Sequence, residues 1–382
     1  MIFSNHYFSF ITIFASLTHI SNNMSLKRFK TDFAKMMETY TIPDNISQEE
    51  SDKKWSDLFS YLQSNIPNKL YRFRKCRLND IISLEQGTIS LCTAAQFSDK
   101  YDSTVFYNYK TFNSRIYEAI EFSIKFIIKI YQKNPSLLPQ TTNVQDIINL
   151  HNTQHSDKEI CDYFFEGLKG FISFSLENIK QQELFPRNNK NIKIACFTED
   201  IKSKFMWDEY GDGYQGFALE YNFSNCQLTS NAHLYPVIYS KFMFDATKTI
   251  DNIIIPSFFE YINVNEQNKQ DFLYQLNYNK SEFNRFYPTD ELYWIKMYLF
   301  KDKNTYSHEK EWRLLYKSDS QKDFCSIRDE DCLKAIYYGP DIKDDYKQHL
   351  HNIAKSKGIK EYDVVLDKDS LKYDLKITSI KL

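Results

Sequence analysis

The chain has 382 residues, 42% hydrophobic and 26% charged, and 48 Lys+Arg against 50 Asp+Glu leave a net charge of −2. That length supports one large domain or two ordinary ones with a sizeable core, which excludes a peptide-like or disulfide-scaffold protein. The balanced charge gives no global field toward nucleic acid. Only 8 glycines and 16% aromatics, with 28 Tyr and 31 Phe, depart from average, and the codon bias of an AT-rich genome explains this as well as any function does. Function must therefore be sought in local clusters.

Tyr7 to Leu17 carry no charge, and nothing basic appears before Lys27. The run is too short to span a bilayer and lacks the positive n-region of a signal peptide, so residues 1–23 are expected to precede a true start at Met24, with a weak secretion signal as the alternative. Residues 24–66 are expected to be a helical segment, in which Trp55, Leu58, Phe59 and Leu62 recur at helical spacing before Pro67. A single α+β domain over 67–382 is expected to follow.

Lys69 to Arg77 alternates as a strand, with Tyr71 and Phe73 on one face and Arg72 and Arg74 on the other. The pattern then predicts a helix over Leu78 to Glu85, ending at Gly87, and a strand over Thr88 to Cys92. Amphipathic patterns over Ser114 to Lys133 and Asp157 to Gln182, joined by a polar connector with Pro135 and Pro139, predict a helical insertion at about 112–190. Beyond Pro186 short strands are expected at Ile192 to Phe197, Gln215 to Tyr221, His233 to Tyr239, Glu309 to Tyr316, Leu333 to Tyr338, Tyr362 to Leu366 and Leu371 to Ile377. Helices are expected around Phe258 to Leu276, Glu291 to Lys301 and Asp344 to Lys355. Without regular strand–helix alternation this reads as α+β, a small and mostly antiparallel, possibly split sheet with flanking helices.

The seven cysteines, Cys76, Cys92, Cys161, Cys196, Cys226, Cys325 and Cys332, are odd in number and hold no C-x-x-C pair, a pattern of reduced thiols in a cytoplasmic protein. His151 and His155 stand four apart with no third ligand at metal spacing, so they are read as surface residues and no metal is expected.

Four clusters carry candidate chemistry. Lys69, Arg72, Arg74, Lys75 and Arg77 crowd nine positions; two adjacent guanidinium forks suit a pyrophosphate or carboxylate, and interleaved Tyr71 and Phe73 leave RNA contact or a solvated face open. F-S-D-K-Y-D places Asp99 and Asp102 in a turn, where aspartates cap backbone N–H groups or hold a loop over a ligand. Gly211, Gly213 and Gly216 fall within six residues after Met206, Trp207 and Tyr210; helix precedes and strand follows, the reverse of a dinucleotide fingerprint, so the glycines serve the turn. H-E-K-E-W-R-L-L-Y, read as a strand, puts Glu309, Glu311 and Arg313 on one face, with the glutamates about 7 Å apart at Cα. Burial would raise one of the two carboxyls unless Arg313 pairs with it; a solvent-facing ladder is the alternative.

The succession Y-R-F-R, F-S-D-K-Y-D, C-F-T, M-W-D-E-Y with its glycine turn, E-K-E-W-R and I-Y-Y-G resembles the bacterial family catalogued as domain of unknown function 2971, from about Leu70 to Gly339. Ser98 and Lys100 stand where that family has asparagine and proline in its F-N-D-P-F-D turn. A looser similarity, of arrangement alone, is to the ADP-ribosyltransferase superfamily, with Arg72 or Arg74 early, Phe197 and Thr198 in the middle and Glu309 or Glu311 late. That resemblance implies cleavage of the nicotinamide–ribose bond of NAD. Arg72, Arg74 and Arg313 would serve the phosphates, Tyr71, Trp207 or Tyr210 the nicotinamide, and Glu311 with Glu309 the reacting ribose. It also implies a toxin or phage-defence effector with a nucleotide ligand; the short uncharged N-terminal run separately leaves no membrane partner expected. An RNA-processing effector and a non-catalytic interaction module are the alternatives. The enzymatic reading requires Arg72, Arg74, Tyr210 and Glu311 to line one cleft.

Overall fold

The computed structural model describes residues 25–138, 142–181, 185–224, 228–229, 231–253, 289–329 and 331–380. The expected helix at Phe258 to Leu276 lies outside them. Two capped helices open the chain. Ser25 accepts from the Arg28 amide to start α1 (Leu26–Thr39), and Ser47 accepts from the Glu50 amide to start α2 (Gln48–Gln63), whose Glu49 and Glu50 favour the positive end of the helix dipole. Both bury their apolar stripes, Phe29, Phe33 and Met37 from α1 and Leu58 and Leu62 from α2, in the main core.

Next come β1 (Leu70–Arg74), α3 (Leu78–Glu85), β2 (Thr88–Cys92) and the short β3 (Val105–Phe106). Three helices follow, α4 (Phe112–Lys133), α5 (Thr142–Asn152) and α6 (Asp157–Gln181). The polar connector expected between two helices is thus itself helical, because Val144 and Ile147 bury one face of α5. The chain returns as β4 (Ile192–Thr198), α7 (Lys204–Glu209), β5 (Phe217–Tyr221), β6 (Ala232–Pro236), β7 (Ile238–Ser240) and β8 (Phe244–Asp245). After the undescribed stretch stand α8 (Tyr293–Lys296), β9 (Phe300–Asp302), α9 (Lys303–Tyr306), β10 (Glu311–Lys317), β11 (Phe324–Arg328) and β12 (Leu333–Tyr338). The last elements are α10 (Asp344–Lys357), β13 (Lys360–Leu366) and β14 (Leu375–Ser379). α10 begins with Asp344 and Asp345 and ends at Gly358, whose φ of 63° suits glycine at a helix end.

The α+β expectation holds, but the sheet is not small: ten mostly antiparallel strands run β11-β2-β4-β1-β5-β12-β13-β14, with β10 beside β4 and β6 beside β10. The one parallel pair on this path, β12 with β13, is bridged by the crossover helix α10. The sheet forks at β4. β10 covers one edge along its whole length, while β1 pairs at Thr198 and β2 at Ile194.

Register fixes the two faces. Tyr71 lies opposite Thr198, and Thr198 opposite Glu311, so these three point to one side; Arg72, Phe197 and Trp312 point to the other. The second side faces the main core, where Phe197 packs on Tyr221 and Phe223, and Trp312 stacks on Phe29. The first side carries a smaller core of Tyr71, Phe73, Trp207, Ala218 and Tyr337, and beside it the charged cluster described below.

Glycine is needed where backbones nearly touch. A Cβ at Gly216 would stand 2.2 Å from the Arg74 carbonyl oxygen, and one at Gly339 2.2 Å from that of Tyr214. Between Gly211 and Gly216 the backbone stays left-handed through Asp212, Gly213 and Tyr214. The glycine concentration thus serves a tight turn that seats α7 against β1.

Cys76, Cys92, Cys161, Cys196 and Cys325 are free, but Cys332 is disulfide-bonded, which corrects the expectation of reduced thiols throughout. Spacing along the chain gives no hint of a pairing that depends on the approach of distant backbones. Among the described residues no helix is long and apolar enough to cross a membrane.

Candidate functional site

The start of β10 does not follow the expected strand. Glu309 ends a one-turn helix at Ser307–Glu309, Lys310 adopts a left-handed φ of 49°, and the strand begins only at Glu311. This kink turns the Glu309 side chain back toward that of Glu311. Thr198 fixes it, its hydroxyl donating to the Glu309 carbonyl at 2.6 Å.

The two carboxylates converge on Lys301, at the centre of β9. Its ammonium donates to Glu309 at 2.6 Å and to Glu311 at 3.0 Å, and lies 3.5 Å from Asp102 and 4.4 Å from the centre of the Tyr306 ring. Arg313, fully buried, completes the cluster. Its Nε donates to Glu311 at 2.8 Å, Nη2 to Asp102 at 2.7 Å, and Nη1 to the Tyr298 carbonyl at 2.7 Å and the Ser103 hydroxyl at 3.1 Å. Three carboxylates thus share two cations; Asp102, Glu309, Glu311 and Arg313 are buried, and only 7% of the Lys301 side chain reaches water. Buried charges of this kind are costly unless hydrogen-bonded, and here each is.

Two tyrosines frame the carboxylates. Tyr210, just past α7, leaves 43% of its surface exposed while its hydroxyl donates to Glu309 at 2.9 Å. Tyr239 of β7 accepts the Glu311 amide at 2.8 Å through its phenol oxygen.

These surroundings separate the two glutamates. Burial pushes the Glu309 carboxyl up, and Lys301 only partly offsets that. Burial would raise Glu311 too, but Arg313 and then Lys301 outweigh it and hold the carboxyl well below the usual range. Burial works against charge on Lys301 as well, yet Glu311, Asp102 and Glu309 keep its pKa raised. Tyr210 is pushed up by burial and then by Glu309. A pair of carboxyls with pKa values driven apart is the arrangement that acid–base chemistry uses.

The loop that delivers Asp102 is fastened by Arg187, which donates to four backbone carbonyls: Asp99 at 2.9 Å, Asp102 at 3.1 Å, Phe97 at 3.2 Å and Ala95 at 3.3 Å. Of the two aspartates in F-S-D-K-Y-D, Asp99 makes the expected turn by accepting the Tyr101 amide. Asp102 instead enters the cluster.

Of the residues expected from sequence, Glu309, Glu311, Arg313, Tyr210 and Thr198 come together. The others do not. Arg72 and Arg74 extend from the opposite face of the sheet, where they bond Ser90 across the fork, so the expectation of one shared cleft is overturned by strand register. Phe197 shares that face beneath Arg72. Trp207 is fully buried, its indole donating to the Ile201 carbonyl at 2.7 Å, and Tyr71 is buried edge-on against Tyr337; both fill the small core. The other basic residues of the first strand are engaged too, Lys69 with Glu220, Arg74 with Asp80 and Lys75 with Asp212. Sequence reasoning missed Lys301 and Tyr239, which sit on three-residue strands too short for any periodic signal. Among the described residues no group of His, Cys, Asp and Glu is arranged to hold a metal ion.

No curated protein and no solved structure matches this chain. Residues 206–314 match the family described as protein of unknown function (DUF2971), a span that takes in M-W-D-E-Y, the glycine turn and E-K-E-W-R, and so contains Tyr210, Tyr239, Lys301, Glu309, Glu311 and Arg313 but not Asp102, Ser103 or Thr198.

Proposed function

We propose that the chain is an enzyme that breaks a glycosidic bond to ribose or a related sugar, with Glu309 and Glu311 as its two carboxyl groups. The observation that carries this reading is the opposed environment of the pair: Glu309 can hold a proton at a pH where Glu311 is ionised. Glu311 would face the positive charge that develops on the anomeric carbon as the bond to the leaving group breaks and its electron pair departs. Glu309, with Tyr210 on its outer oxygen, would manage the proton of the attacking or departing group. Lys301 and Arg313 hold the carboxyls in place and would not touch the substrate.

The NAD reading that required Arg72 and Arg74 beside Glu311 fails with the strand register, so the proposal rests on the carboxylate pair alone, and the nicotinamide–ribose bond of NAD serves as a first test substrate. With Arg72 and Arg74 on the other face, they do not grip the phosphates of a nucleotide bound at Glu311. The toxin or phage-defence role rests on the resemblance to ADP-ribosyltransferases.

The test is release of nicotinamide from NAD, or transfer of its ADP-ribosyl group to a target in cell lysate, by wild type and by Glu309→Gln. Glutamine has the shape and neutrality of a protonated Glu309 but carries no transferable proton. Turnover in wild type that drops by about 100-fold or more in a natively folded variant supports the reading; unchanged turnover removes Glu309 from the mechanism. Glu311→Gln is the poorer probe, because it also strips a partner from buried Arg313.

A further inference from the structure

The arginine pair of β1 plays no part in the carboxylate cluster, yet it belongs to the densest basic run in the chain. Its setting is the fork of the sheet, where β1 and β2 leave the same edge of β4 and diverge. Arg72 Nη2 donates across the gap to the Ser90 carbonyl at 2.6 Å, and Arg74 Nη2 to the Ser90 hydroxyl at 2.8 Å. Asp80 faces Arg74 alone, at 3.4 Å. Among the described residues, one carboxylate therefore stands against two guanidinium groups.

The second terminal nitrogen of Arg72 is unmatched. Nη1 is buried and, among the described residues, has no hydrogen-bond partner. A buried donor left without an acceptor costs free energy comparable to a lost hydrogen bond. Bridging the fork needs only the two Nη2 contacts to Ser90, so that role does not account for Nη1. Burial, and then the charge of Arg74, lower the Arg72 guanidinium to about 9, the direction expected of a cation lacking a counter-charge. Both side chains are only partly exposed, Arg74 keeping 20% of its side chain accessible to solvent.

We propose that the fork between β1 and β2 binds a small oxyanion, a phosphate or diphosphate group, accepted by Arg72 Nη1 with Arg74 beside it. A tetrahedral oxyanion offers several acceptors at the spacing of a guanidinium fork and supplies the missing negative charge. The site lies on the opposite side of the sheet from Glu309 and Glu311 and is independent of the glycosidic reading. The oxyanion comes either free or as part of a nucleotide.

The full chain is titrated calorimetrically with inorganic phosphate, pyrophosphate and ADP at constant ionic strength. Saturable binding of phosphate or pyrophosphate assigns a free-anion site, and binding of ADP alone assigns the diphosphate of a nucleotide; either supports the proposal once Arg72→Lys, which keeps the charge but loses the fork, weakens it by about tenfold or more. No saturable binding of any of the three by wild type overturns it, as does unaltered affinity in Arg72→Lys. Should Arg72→Lys lack a native near-ultraviolet dichroism spectrum, Arg74→Lys is read by the same criterion. Nicotinamide release is measured on the same samples, so failure of one proposal is seen apart from the other.

Discussion

The carboxylates of Glu309 and Glu311 meet on a single ammonium, that of Lys301, although the backbone between them turns left-handed at Lys310. Proximity of two like charges is tolerated because Lys301 lies between them and Arg313 neutralises one.

Lys301→Met removes that ammonium and keeps a stem of similar length. Three buried carboxylates, those of Asp102, Glu309 and Glu311, then lose a partner, and the variant is expected to lose roughly 3–5 kcal/mol at neutral pH. The deficit should shrink as acid protonates Glu309. Urea unfolding at about pH 7 and about pH 5 checks both statements; an equal deficit at both pH values would mean that Lys301 acts through packing alone.

The two glutamates also dictate opposite pH trends. Glu311, depressed in the native state, contributes stability that is present above its ordinary 4.5 and is lost as pH falls below that value through the lowered one. Glu309, raised in the native state, contributes stability that is present below 4.5 and is lost as pH rises through the raised one. Unfolding midpoints from about pH 3 to about pH 8 should show the first trend in wild type. Glu309→Gln should flatten the decline above pH 4.5 and leave the acid side unchanged.

Gly216→Ala should be among the most harmful of small substitutions. The added methyl would stand 2.2 Å from the Arg74 carbonyl oxygen and 2.8 Å from that of Gly211, both backbone atoms that cannot swing away. A loss of roughly 1–3 kcal/mol or more is expected in thermal unfolding. Gly213→Ala, with nothing within 4 Å of its Cβ but a φ of +60°, should cost less, about 1 kcal/mol.

Arg187→Lys retains charge but cannot reach four carbonyls from one planar fork. Amide hydrogen exchange over residues 95–102 should quicken by about tenfold or more while exchange in the sheet stays as in wild type. Any turnover should fall with it, since Asp102 is carried on that loop. Unchanged exchange would show that the loop is held by its own turn.

Local signals made much of the fold readable. The helix Leu78–Glu85 and the strand Thr88–Cys92 match their expected bounds, because Gly87 and alternating burial mark both ends. Alternation also placed Arg72 and Arg74 together, opposite Tyr71 and Phe73. What it cannot tell is which of those faces Glu311 shares. That depends on the register of β1 on β4 and of β4 on β10, segments more than a hundred residues apart, and register is set by tertiary pairing. Lys301 shows the same limit: the pattern over Glu291 to Lys301 predicted one helix, whereas tertiary packing yields a single helical turn and then β9, which pairs with β7.

The grip of Arg187 on residues 95–102 falls where the chain is about to leave the sheet region for α4–α6 and where it has just come back. The three helices thus form an insertion whose two roots are tied by one side chain and whose apolar faces join the main core. A shift of the inserted helices would therefore be felt at Asp102, and through it at the buried guanidinium of Arg313, by way of the Arg187 side chain.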